Sequence, residues 1–96
     1  MYARVARFET EPAEFDRAIE HVRGEVAQGA PPGLEGARML MLVDRASGQG
    51  LGITLFASEE AMRRGDEALN AMSSGAGARR ASVEFYEVPV QTIDGV

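Results

Sequence analysis

Met39–Val43 reads Met-Leu-Met-Leu-Val, five apolar residues without a polar break. Side chains along a strand point alternately to its two faces, so an unbroken run makes both faces apolar. Such a strand needs cover above and below. The run is the first arm of a predicted hairpin over Ala37–Phe56, with Leu51–Phe56 as the second arm. Asp44-Arg45-Ala46-Ser47-Gly48-Gln49-Gly50 supplies the turn formers between them. In a chain of 96 residues, one layer of helices can cover one face of the sheet. The other face requires something more. A chain of this size buries only about two-thirds of its unfolded surface, so a partner surface adds much.

The other segments fall into order around that hairpin. Tyr2–Phe8 is rich in β-formers and has no cleanly polar face, which predicts a central strand. Thr10 or Glu11 is suited to cap a helix that admits Pro12 in its first turn. Phe15, Ala18, Ile19, Val22 and Val26 make one stripe at helical spacing, predicting a helix from about Pro12 to Ala27. Ala30–Gly36 is a Pro/Gly loop. Ser58 caps a second helix with Glu59 and Glu60 at its positive end. Its inner stripe is Ala61, Met62, Gly65, Ala68, Leu69 and Met72, and it is expected to fray into Ser73–Gly77. Gly65 disfavours the helix by roughly 1 kcal/mol relative to alanine, so its place on the inner stripe implies close approach of a strand or a ligand. Arg80–Val90 is the last strand, an edge strand toward Pro89, which cannot donate to a ladder.

The order is β-α-β-β-α-β. It predicts an α+β chain with a ferredoxin-like sandwich, one domain over residues 1–90 and a tail over 91–96. Helices on one face leave a second apolar face bare, and a large bare apolar face marks an interaction site. Pairing two sheets face to face in a twofold homodimer covers it.

Composition excludes several classes of function. Formal net charge is −5, and the only adjacent basic pairs, Arg63-Arg64 and Arg79-Arg80, have acids nearby, so nucleic-acid binding is not expected. There is no cysteine, which removes disulfides, thiolate ligands and a Cys nucleophile. The ten basic side chains are all arginine, which removes a Schiff-base lysine. No apolar run reaches signal-peptide or membrane-spanning length, so the expectation is a soluble cytoplasmic protein without a membrane partner. One histidine and no helpful carboxylate spacing predict no metal site, and Ser73–Gly77 lacks the lysine of a phosphate-cradling loop.

The MYARVARF first strand, the segment Pro32-Gly33-Leu34-Glu35-Gly36 and the segment Thr54-Leu55-Phe56-Ala57-Ser58 together carry a family resemblance. The chain resembles the dimeric α/β-barrel superfamily, in particular its antibiotic-biosynthesis-monooxygenase-like branch. Many members have a Pro-Gly-x-x-Gly-like loop and a Glu-x-Trp-x-Ser-like segment at the latter two places. Here Thr54 stands for the Glu and Phe56 for the Trp. The resemblance implies a homodimeric barrel and a cofactor-independent oxygenase acting on a small quinol-like aromatic. It implies equally a non-catalytic dimeric ligand-binding or stress-responsive relative. Haem degraders of similar fold carry an Asn on strand one and a His and a Trp at the pocket, whereas strand one here has no Asn, helix two has no His and the chain has no Trp.

Candidate residues follow from these readings. Tyr86 and Arg4 are the catalytic candidates, a phenol and a guanidinium that would stabilise a substrate anion. Arg4 and Arg7 lie on opposite faces of strand one, and each needs a partner, with Glu84 or Glu87 on a neighbouring strand as the structural choice. Thr54, Phe56, Gly65 and Met62 are the candidate pocket wall. His21, between Arg17 and Glu25 at helical i,i+4 spacing, reads as a solvated surface residue, and Asn70 lies on the outer side of helix two. The methionines read as core filler or the lining of an adaptable apolar cavity.

Overall fold

The computed structural model describes residues 1–71 and 79–92. Expectations for Met72, Ser73–Gly77 and residues 93–96 lie outside the described residues. Strand β1 (Tyr2–Glu9) leads through a 3-10 turn (Pro12–Glu14) into helix α1 (Phe15–Ala27). Strands β2 (Arg38–Asp44) and β3 (Gln49–Phe56) follow, then helix α2 (Glu59–Asn70) and strand β4 (Arg79–Glu87). The four strands form one sheet in the order β2-β3-β1-β4, and every neighbouring pair is antiparallel. The result is an α+β chain with two helices, compatible with the ferredoxin-like fold. β1 is interior and β4 lies at an edge, but β4 ends at Glu87 and not at Val90 as predicted, so Pro89, the residue behind the edge prediction, lies beyond the strand.

Turn chemistry makes the hairpin tighter than its sequence suggests. Asp44 and Gln49 already pair, so the loop proper is only residues 45–48. The Asp44 carboxylate accepts from the Ala46 and Ser47 amides at 3.1 and 3.4 Å, and the Gly48 amide donates to the Asp44 carbonyl at 3.0 Å. Gly48 closes the turn with φ +81, a conformation that glycine adopts without steric cost.

Helix α1 departs from expectation at both ends. No side chain caps its start, neither that of Glu11 nor that of Glu14. Thr10, the other predicted cap, buries an Oγ1 that finds no hydrogen-bond partner among the described residues. Phe15 and Ala18 are buried, while Val26, at the far end of the stripe, is 60% exposed. The helix therefore anchors at its first turns, and its apolar stripe stops short of its end. Helix α2 follows the sequence more closely. Ser58 caps it, its Oγ accepting from the Ala61 amide at 3.1 Å.

Register sorts the side chains between the faces. Arg4 pairs with Thr54, which pairs with Met39, and Ala6 pairs with Gly52, which pairs with Met41. Directly paired residues share a face. Asp66 and Asn70 of α2 bond to Arg4, which identifies this as the helix-covered face. The opposite face carries Val5, Leu51, Ile53, Leu40, Leu42 and Tyr86.

Gly65 lies where α2 crosses β3. A Cβ there would run into the Phe56 ring and sit 3.2 Å from Leu34 Cδ2. Close approach of a strand, not of a ligand, explains this glycine.

Candidate functional site

Two small residues side by side on a helix-facing strand pair leave a hollow that helices cannot fill. Ala6 of β1 and Gly52 of β3 are such a pair, and a Cβ built on Gly52 would meet nothing within 4 Å. Above them lies a cleft of about 390 Å³ between the sheet and both helices, within the size range of small-molecule sites. Its walls are mostly apolar: Phe8 from β1, Met39 and Met41 from β2, Ala18 and Val22 from α1, and Leu69 from α2.

The polar groups gather at one end. Arg4 is only 4% exposed, and a buried charge needs a partner. Its Nε donates to Asp66 Oδ1 at 2.7 Å, where the carboxylate is 26% exposed. Its Nη2 donates to Asn70 Oδ1 at 3.1 Å. The same amide oxygen accepts from Arg80 Nη1 at 2.6 Å. Two guanidinium groups thus converge on one neutral acceptor, Arg4 at depth and Arg80 at the rim. Thr54 lies beside Arg4 in register and is likewise buried. Across the cleft, His21 Nε2 lies 3.5 Å from Glu25 Oε1, and both residues line the opening.

The predicted site residues divide. Arg4 and Thr54 both line the cleft. Phe56 and Gly65 pack on each other, and Met62 lies with Tyr2 and Phe85 at a separate, more open depression. Tyr86 is on the other side of the sheet, since its partner in β1 is Ala3 and not Arg4. Its hydroxyl donates to Glu84 Oε2 at 3.1 Å, and that bond to an anion pushes the phenol pKa up. A phenol held in this way is no readier to ionise. Glu84 also accepts from Arg7 Nε at 3.1 Å, which, with the Tyr86 bond, holds its carboxyl below the ordinary range.

Asn70 and His21, read from the sequence as surface residues, belong here, and so does Asp66, which the sequence does not single out. Asn70 is exposed, as its helical position predicts, yet its amide bridges two arginines. His21 borders the cleft and is not freely solvated, with Glu25 as the ladder partner, while Arg17 turns to Glu14 at 3.5 Å. Asp66, not Glu84 or Glu87, pairs with Arg4. The i,i+4 spacing of Asp66 and Asn70 on α2, opposite a strand arginine, was the available signal.

Among the described residues, no group of three or more His, Asp or Glu side chains is arranged to hold a metal ion. No helix among them is long and apolar enough to cross a membrane. No protein-family model matches the chain, and no curated protein does. Function has to be read from the cleft and from the residues around it.

Proposed function

We propose that the chain is a homodimeric α/β-barrel protein whose cleft binds a small quinol-like aromatic and oxidises it with dioxygen, without a cofactor. The observation that carries the reading is the hollow over Ala6 and Gly52, apolar on its walls and cationic at one end. An aromatic ring fits against Phe8, Met39 and Leu69. Its ionised oxygen is stabilised by the arginines, and His21 or Glu25 at the opening accepts the proton. The electron-rich anion then reduces dioxygen. In an anthrone-type ligand, whose keto tautomer carries a ring methylene, that methylene becomes a carbonyl, one oxygen atom stays in the product, and the other leaves as water with the two hydrogens. The family resemblance supports this chemistry.

Two observations favour a second reading, a non-catalytic ligand-binding relative. Arg4, the buried cation, already spends donors on Asp66 and Asn70, and Tyr86 is absent from the cleft. Oxygen uptake against a panel of quinols and anthrones separates the two readings. Turnover above the uncatalysed rate supports the oxygenase, and ligand-raised melting temperature without turnover supports the binder. Gly52→Leu tests the site itself. A side chain there fills open space and replaces a glycine unfavourable in a strand. The variant is expected to melt no lower than the unaltered chain while losing turnover and ligand-induced stabilisation. If it keeps both, the cleft is not the site.

A further inference from the structure

Charge around the cleft is unevenly matched. Asp66 is committed to Arg4 at 2.7 Å, and Glu25 faces His21 at 3.5 Å. Arg80 has no carboxylate within ion-pair distance among the described residues, and its Nη1 bonds only to the neutral Asn70 amide. That amide oxygen accepts from Arg4 as well, and an amide oxygen has two lone pairs. It orients both cations but neutralises neither. Asp66 already offsets the charge of Arg4, which leaves Arg80, among the described residues, as the cation of the cleft that an arriving anion can pair with. A guanidinium presents five N–H donors in a planar fork that matches a carboxylate. Arg80 is exposed at the rim, where a ligand can reach it without displacing the Arg4–Asp66 pair.

We propose that Arg80, held in place by Asn70 at the rim of the cleft, is a carboxylate-binding subsite, so that the aromatic ligand of the cleft carries a carboxylate. The inference rests on the reading that the cleft takes an aromatic ligand, and it names the group that orients it. The ring enters over Gly52 against the apolar walls, and the carboxylate stays at the rim on Arg80.

Calorimetric titration with 2-naphthoate beside 2-naphthamide, and benzoate beside benzamide, tests the proposal. The acid of each pair is expected to bind about tenfold or more tightly than its amide at low salt, with the preference shrinking as salt screens the exposed pair. Arg80→Gln, with folding verified by circular dichroism, is expected to bring acid and amide close to parity. Arg80→Lys is expected to keep part of the preference, since it keeps the charge and loses the fork. Equal binding of acid and amide by the unaltered chain overturns the subsite and leaves the cleft standing. An undiminished preference in Arg80→Gln also overturns it. Failure of all four probes to bind overturns subsite and cleft together. Oxygen uptake is read separately with the quinols and anthrones, since benzoate and 2-naphthoate carry no ring hydroxyl or methylene to oxidise, so binding of the acids upholds the subsite whatever the outcome for the oxygenase chemistry.

Discussion

At the residue scale, Arg4 shows how a buried charge is tolerated in so small a core. Its guanidinium has left water almost completely, and Asp66 and Asn70 replace the lost hydration. Removing one partner of such a pair leaves the other charged and unpaired, which is worse than never having had the pair. Asp66→Ala is therefore expected to cost about 3 kcal/mol, read as a lower urea midpoint with an unchanged slope. Glu84→Gln breaks an ion pair at an exposed site, where water compensates, and is expected to shift the midpoint little. Thr10 presents the opposite case. Its buried Oγ1 has no partner among the described residues, so the hydroxyl was desolvated without return. Thr10→Val keeps the shape and removes that penalty, and is expected to stabilise the chain by about 1 kcal/mol. A lower urea midpoint for Thr10→Val would mean that the hydroxyl is satisfied after all.

At the element scale, the crossing of α2 over β3 depends on a missing side chain. Gly65→Ala improves helix propensity by roughly 1 kcal/mol, yet its Cβ would collide with the Phe56 ring. Overpacking a tight contact costs about 1–3 kcal/mol, so the net effect is expected to be a lower melting temperature. A higher one would show that the ring moves aside freely. The β2–β3 turn adds a pH signature. Bonds from Ser47 and from the Ala46 and Ser47 amides hold the Asp44 carboxyl below the ordinary range, and Glu84 is lowered by Arg7 and Tyr86. A depressed carboxylate pKa contributes stability that is present above the unfolded value and lost as pH falls through the folded one. Melting temperature is thus expected to drop as pH falls through and below the carboxylate range. In Asp44→Asn, Glu84→Gln the drop is expected to be smaller. Most of the element order was legible in the sequence, because helical stripes, the Ser58 cap and the Pro/Gly loop are local signals. The cleft was much less legible. Tyr86 was placed with Arg4 because each carries useful chemistry, but pairing of Arg4 with Phe85 and of Ala3 with Tyr86 separates them by the thickness of the sheet. A shift of one residue in register reverses the faces, and register is not a local property. The hollow over Ala6 and Gly52 depended on the same unseen pairing.

At the scale of the whole molecule, the apolar run that opens the hairpin proves to lie in β2, at an edge of the sheet. Its Met39 and Met41 side chains help to wall the cleft. On the other face, Leu40 and Leu42 are 49% and 45% exposed, and Leu51, Ile53 and Val5 continue that surface inward. Ala3 and Leu55 are already buried within the chain, so the bare area is centred on β2 and the nearer half of β3. Apolar surface of this kind in water is unfavourable by roughly 25 cal/mol for each Å² left uncovered. The proposed homodimer would cover it by setting the same patch of a second copy against it about a twofold axis. Arg7 and Glu84 lie paired on this face, so two facing sheets need not strand an unpaired charge there. Light scattering at micromolar concentration is expected to report twice 10.3 kDa, with a melting temperature that rises with concentration. Ile53→Asp, at the middle of the patch, is expected to convert the chain to monomer or to unfold it. Leu42→Ser, nearer the edge, is expected to weaken the dimer with the fold retained. A 10.3 kDa species from the unaltered chain, with concentration-independent melting, would mean that this face is stable in water, and the homodimer would fall.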